Sequence, residues 1–261
     1  MIGLDEFLKV SDEIKHETCE KHGVYESKNI FGKRWSSCVA CAKELAEVKA
    51  EEAEEKKRLD ALLAWQHKIK RAGIPDRFNN RSLTNFNATT PEQIRALEFA
   101  KQYATKFDDV LETGRSAIFM GLPGTGKTHL AIGIARHIMH YDKRTALFTT
   151  VMRAIRSIKS TWDKSNHESE THAIAALTEP DLLILDEVGV QFGSETEKLL
   201  MFDVLNERYE NRRPTLLLTN LSLDDVKSFL GERVFDRLRE DGGEAVPFNW
   251  ESYRGRMERA A

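Results

Sequence analysis

From about residue 76 onward, short apolar runs alternate with amphipathic stretches, a pattern that predicts strands separated by helices. SAIFM (116–120) predicts a buried strand, TALFTT (145–150) a second, DLLILDE (181–187) a third and PTLLLTN (214–220) a fourth. THLAIGIARHIMH (128–140) and the stretches 151–162, 195–211 and 223–238 read as helices between or after them. Continuous apolar strands interleaved with helices imply a parallel sheet covered on both faces, an α/β core.

The chain ahead of this core is patterned differently. Residues 43–71 are rich in Ala, Glu, Lys and Leu and hold no Gly or Pro, which predicts a helix by propensity. Its first half is almost wholly polar or Ala and reads as a solvated arm. Leu59, Leu62, Leu63 and Trp65 in the second half are able to pack on another surface, and Gly73 and Pro75 end the helix. Residues 1–42 have few aliphatic runs and contain every cysteine of the chain. Three parts are therefore expected: a small module over 1–42, an arm over 43–72 and the core over 73–261.

Composition narrows the class. With 31% charged and 41% hydrophobic residues, the 261-residue chain has the balance of a soluble globular protein. No run approaches the ~20 apolar residues of a membrane span. The acids near the N-terminus do not suit a signal peptide, so a cytoplasmic protein is expected. The formal net charge of −3 gives no bulk attraction for nucleic acid, which leaves any such contact to a local patch.

One such patch is a candidate. Arg153, Arg156 and Lys159 recur every three residues along one predicted helix, and Trp162 follows. Cations beside an aromatic ring suit single-stranded DNA, with charges on phosphates and the ring on a base. A solvated amphipathic helix with Trp162 capping the core fits the same residues.

The candidate chemistry begins at GLPGTGKT, Gly121 to Thr128, which follows a predicted strand and opens a helix. It fits the phosphate-binding loop in full. Gly121, Gly124 and Gly126 let the backbone fold tightly enough to turn its N–H groups on phosphate oxygens. Lys127 supplies a charge for the β- and γ-phosphates, and the Thr128 hydroxyl is a ligand for Mg²⁺. Pro123, Thr125 and His129 complete the expected contacts to ATP. DLLILDE carries Asp186 and Glu187 to the C-terminal end of its strand, the edge where such sheets bind ligands. Asp186 suits Mg²⁺ and Glu187 suits the water that attacks the phosphate. Asn220, ending LLLTN, is placed to hydrogen-bond the γ-phosphate or that water, or to cap the next helix.

A second constellation is Cys19-x2-His22 with Cys38-x2-Cys41, two half-sites separated by 15 residues. This is the spacing of a structural Zn²⁺ site, with Gly23 and Gly32 closing a ribbon between the half-sites. His16 is an alternative to His22, and three free thiols with a chance histidine is the bland alternative.

Several stretches resemble the bacterial helicase-loader group of AAA+ ATPases, the DnaC and DnaI proteins: LLAWQ, GLPGTGKTHLA, DLLILDEVGVQ, LGERVFDRLR and FNWESYRGRM. The likeness runs from about residue 59 to residue 257. It implies an AAA+ P-loop core without a full C-terminal lid, assembled as a ring or spiral with ATP between subunits. It makes Arg237 the arginine finger, with Arg233 the other candidate, and Arg254 a second γ-phosphate sensor. In related ATPases the segment IPDRF (74–78) borders the adenine, so Ile74 and Phe78 either flank the base or simply pack the linker. The N-terminal zinc module is similar to the DnaI branch. The implied partners are a replicative hexameric helicase and single-stranded DNA. Two alternatives stand: a transposition helper ATPase of the IstB type, and a zinc-containing DNA-binding scaffold with little turnover.

Overall fold

The computed structural model describes residues 13–30, 34–163, 165, 167–189 and 194–253. By its internal contacts the chain divides into two units, Met1–Gln66 and His67–Ala261.

In the first unit, β1 (Ile14–Cys19), β2 (Gly23–Ile30) and β3 (Arg34–Trp35) form an antiparallel sheet in that order. Gly23 takes a φ of 77°, open to glycine, where the β1–β2 hairpin closes with Cys19 opposite it. Helix α1 runs from Val39 to Arg71, starting four residues earlier than its composition alone predicts. Cys38 and Cys41 therefore sit at its start. Ser27, Asn29 and Cys38 are the buried side chains among the unit's described residues. Among the described residues, two polar groups and a thiol provide almost no hydrophobic driving force. Leu59, Leu62 and Leu63 are about half exposed, at 54%, 52% and 47%.

The second unit contains α2 (Pro91–Thr105), α3 (Phe107–Thr113), β4 (Ala117–Gly121), α4 (Lys127–His140), β5 (Ala146–Thr150) and α5 (Val151–Ser160). These are followed by α6 (Glu170–Thr178), β6 (Leu182–Val188), α7 (Glu195–Glu210), β7 (Thr215–Thr219), α8 (Leu223–Leu230), α9 (Glu232–Arg239) and β8 (Glu244–Phe248). The sheet order is β5-β6-β7-β4-β8, and every pairing is parallel. The four strands read from the apolar runs are all present, within a residue or so of their expected bounds. The stretch 223–238 is two helices rather than one, because Gly231 breaks it at φ 83°, ψ 150°. The fifth strand, β8, has a buried pattern of only Val246 and Phe248, too short a signal for periodicity to single out.

The sheet interior explains the strand sequences. Leu182 to Leu185 and Leu216 to Leu218 are each 1% exposed or less, as expected for strands covered on both faces. Arg208, on α7, is fully buried and donates to the carbonyls of Leu177, Thr178, Pro180 and Pro214 and to Thr215 Oγ1. It thereby satisfies the carbonyl end of α6 and the start of β7 at once. Among the described residues no helix is long and apolar enough to cross a membrane.

Candidate functional site

The strand order places β7 between β4 and β6, so the tips of three adjacent strands carry the phosphate-loop, Asn220 and the acidic pair. Lys127 opens α4 and is 7% exposed. Its Nζ donates to the carbonyls of Gly121 and Leu122, at 2.7 and 2.8 Å, and to Asn220 Oδ1 at 2.8 Å. Thr128 Oγ1 donates to Asp186 Oδ2 at 3.0 Å, so the two groups assigned to Mg²⁺ touch. Burial raises the Asp186 carboxyl above the usual aspartate range, opposed by the Glu187 amide, the Thr128 hydroxyl and Lys127. A divalent cation would relieve that cost.

The loop glycines are needed for shape. Gly121 has φ 136°, and a Cβ there would lie 2.5 Å from the carbonyl oxygen of Phe248. Gly126 has φ 100°, and a Cβ there would lie 2.6 Å from the Phe86 ring. The loop can be neither strained less nor filled more.

Glu187 takes φ 61°, uncommon for a residue with a side chain. It lies where the β6–β7 register slips between Leu185 and Val188. Thr219 Oγ1 donates to the Val188 carbonyl at 2.6 Å and fixes the slipped segment to β7. The bulge exposes Glu187 beside the half-buried Asp186, and both line the cavity described next.

These groups open on a cavity of about 520 Å³, a volume suited to a nucleotide. Pro123, Gly124, Thr125, Gly126, Lys127, Thr128 and His129 line it together with Asp186, Glu187 and Asn220. Of the linker pair, Phe78 lines the cavity beside Pro75, whereas Ile74 is 5% exposed and turned into the interior. His129 lies against Phe86 at 5.2 Å, edge to face, and its Nε2 is 3.0 Å from the Ser82 carbonyl. Because that carbonyl only accepts, Nε2 carries the proton, and burial holds the ring below the usual histidine pKa. His129 thus anchors the loop 82–86 over the phosphate-loop. Arg77, Arg81 and Phe86 also line the cavity and escape a sequence reading, since no period or motif marks them.

The basic residues of α5 have different neighbours. Arg153 lines the nucleotide cavity, one turn beyond Thr150, which pairs with Asp186. Lys159 Nζ lies 3.0 Å from the nearly buried carboxylate of Glu197. Arg156 is exposed, and Trp162 is 47% exposed with its indole N–H on Glu170. All three cations lie on the exposed side of α5, whose buried residues are Val151, Ala154, Ile155 and Ile158.

Arg237 is half-buried on α9, with its guanidinium 4.8 Å from the centre of the Tyr209 ring. Its Nη1 is buried without a hydrogen-bond partner, a cost that an incoming acceptor would remove. Arg233 is exposed, and both line a hollow on α9. Arg254 and Gly32 lie outside the described residues.

In the first unit, the ligand atoms of Cys19, His22, Cys38 and Cys41 all lie within 4.8 Å of one another. Cys19 Sγ is 3.4 Å from Cys41 Sγ, and His22 Nδ1 is 3.3 Å from Cys41 Sγ and 3.7 Å from Cys38 Sγ. Sulfurs bound to tetrahedral zinc at about 2.3 Å stand roughly 3.8 Å apart, so the donors fit that ion. Backbone N–H groups of Lys21 and His22 bring the Cys19 thiol down to about 6, while the adjoining Cys19 pushes Cys41 up to about 11. His22 Nε2 bonds Glu44 Oε1 at 3.0 Å, which leaves Nδ1 facing the sulfurs. His16 stands opposite Glu26 on the ribbon and is not part of the cluster.

Comparison with known proteins adds kinship to this geometry. The model of the IstB-like ATP-binding proteins matches residues 44–261. The chain is 36% identical over 200 residues to the replicative helicase loader DnaC of Escherichia coli K12, covering 77% of this chain and 80% of that protein. A crystal structure of the DnaC helicase loader superposes with a TM-score of 0.60 at 26% identity, over 66% of this chain and 99% of that one. A DnaI structure shares the fold, with a TM-score of 0.55 at 19% identity over 69% of this chain and 93% of that one.

Proposed function

The chain belongs to the IstB-like ATP-binding family and, within it, stands with the DnaC helicase loaders, and we propose that it is an ATPase that delivers a replicative hexameric helicase to single-stranded DNA. The observation that carries this is the meeting of Lys127, Thr128, Asp186, Glu187 and Asn220 at the tips of β4, β6 and β7, around one nucleotide-sized cavity.

The chemistry follows from those positions. The phosphate-loop amides and Lys127 hold the triphosphate. Thr128 and Asp186 would hold Mg²⁺, which supplies charge neutralisation at the phosphates. Glu187 takes the proton of the attacking water, and Asn220 orients the water or the γ-phosphate. Arg237 reaches the γ-phosphate of the next subunit in a ring or spiral, so turnover depends on assembly. Arg254 is a cis sensor in this scheme. Hydrolysis acts as a switch: the ATP state grips DNA and helicase, and the ADP state releases them.

Single-stranded DNA is assigned to the surface of α5 around Arg156 and Trp162. Arg153 and Lys159, proposed for the same strand on sequence grounds, have other neighbours, and Arg153 ties this helix to the nucleotide cavity. Residues 1–42 form a zinc module on Cys19, His22, Cys38 and Cys41, and with the arm over 43–72 they hold the helicase. A metal here contributes folding energy to a unit whose described interior is polar. The IstB-type transposition reading shares the ATPase core, but relatives 36% and 34% identical are named replicative helicase loader DnaC. A zinc scaffold without turnover would have no use for an intact Glu187.

ATP hydrolysis measured with and without single-stranded DNA tests the proposal. Turnover that responds to the DNA is expected. An inert protein would return the reading to a scaffold, and response only to duplex DNA would favour the transposition helper.

A further inference from the structure

The segment that follows β8 is bonded to the phosphate-loop, and Trp250, Glu251 and Tyr253 line the nucleotide cavity beside it. Trp250 Nε1 donates to the Thr125 carbonyl at 3.0 Å. The Tyr253 amide donates to the Gly124 carbonyl at 2.9 Å. These are two successive peptide groups of the loop. Phe248 pairs in register with Gly121, where the loop begins, and its ring lies 4.9 Å from the Trp250 ring. Phe248 in turn is fully buried against Phe119 at 5.0 Å. Trp250 is therefore held from the core on one side while it holds the loop on the other.

A trans peptide is planar, with C=O and N–H pointing in opposite directions. Fixing the Gly124 carbonyl on Tyr253 aims the Thr125 N–H away from the tail. Fixing the Thr125 carbonyl on Trp250 does the same for the Gly126 N–H. These are amides a phosphate-loop uses to surround an anion, and they are useful only if preoriented. A loop rich in glycine has little stiffness of its own.

We infer that Trp250 and the Tyr253 amide form a clasp that orients the Thr125 and Gly126 amides for phosphate, making the segment 249–253 a positioning element of the nucleotide site. This rests on the reading of the cavity as an ATP site. The clasp acts on the loop itself, whichever phosphate chain occupies it, so ATP and ADP are affected alike. It also gives the chain after β8 a direct hold on nucleotide affinity.

The test uses the full chain and fluorescent ATP and ADP analogues. Trp250→Phe deletes the indole donor and keeps a ring on Phe248. It is expected to weaken both nucleotides about 5-fold, the loss of one net hydrogen bond. In turnover the loss is expected in KM rather than kcat, which separates positioning from chemistry. A second pair guards against misfolding: Tyr253→Pro removes the amide donor, while Tyr253→Ala keeps it. Weaker binding in the proline variant than in the alanine variant supports the clasp. Native affinity in both Trp250→Phe and Tyr253→Pro overturns it. A wild-type chain that binds neither nucleotide would instead overturn the ATP reading beneath it.

Discussion

Lys127 Nζ lies 2.8 Å from Asn220 Oδ1, joining the start of α4 to the residue that ends β7. The bond ties the group that holds phosphate to the group placed to sense it. Lys127→Ala is expected to abolish ATP binding. Asn220→Ala is expected to keep it and to lower kcat by about 10²–10³, the usual cost of one group aimed at developing charge. Equilibrium binding and steady-state turnover separate the two; an Asn220→Ala protein with native kcat would remove Asn220 from the chemistry.

Glu187 occupies its φ of 61° at a sheet irregularity fixed by Thr219. Backbone strain of this kind is retained where a side chain has to be aimed. Glu187→Gln should bind ATP and fail to hydrolyse it. Glu187→Gly, which suits the backbone, should be equally inactive without a lower Tm. Full turnover in either variant would show that another group activates the water.

Much of this site is legible in the sequence, and the remainder is not for definable reasons. The phosphate-loop, Asp186, Glu187 and Asn220 are set by local chain: each is a motif or a strand end, and the strands are marked by unbroken apolar runs. Phe86, Arg81 and Arg153 reach the same cavity through tertiary packing, which leaves no period behind. Gly231 breaks α8 from α9 inside a stretch whose amphipathic pattern is nearly continuous. The cysteine cluster needed only spacing, because two short knuckles already bring four donors together.

Arg237 carries a buried Nη1 with no partner. Arg237→Ala is expected to bind nucleotide normally and to lose assembly-dependent hydrolysis. Mixing it with Lys127→Ala protein should partly restore activity, because an active interface then takes its finger from one subunit and its loop from the other. Absence of restoration at every mixing ratio would count against a trans geometry.

The purified protein should contain about one Zn²⁺ per chain. Cys38→Ser is expected to lose it and to expose the first unit to proteolysis while ATP binding survives. Glu44→Gln keeps every ligand but weakens the hold on His22, and should lower metal affinity about 10–100-fold in a chelator competition. Metal-free protein with an unchanged N-terminal cleavage pattern would remove the zinc reading.

Transfer of a hexameric replicative helicase from the same organism onto a closed single-stranded circle tests the loader function most directly. Retention of helicase on the circle, counted after free protein is removed, should require both the full chain and ATP. Lys127→Ala protein should give no more than the helicase alone, and residues 73–261 should hydrolyse ATP yet fail to load. Equal retention with and without the protein, or full loading by Lys127→Ala, would contradict an ATP-driven loader.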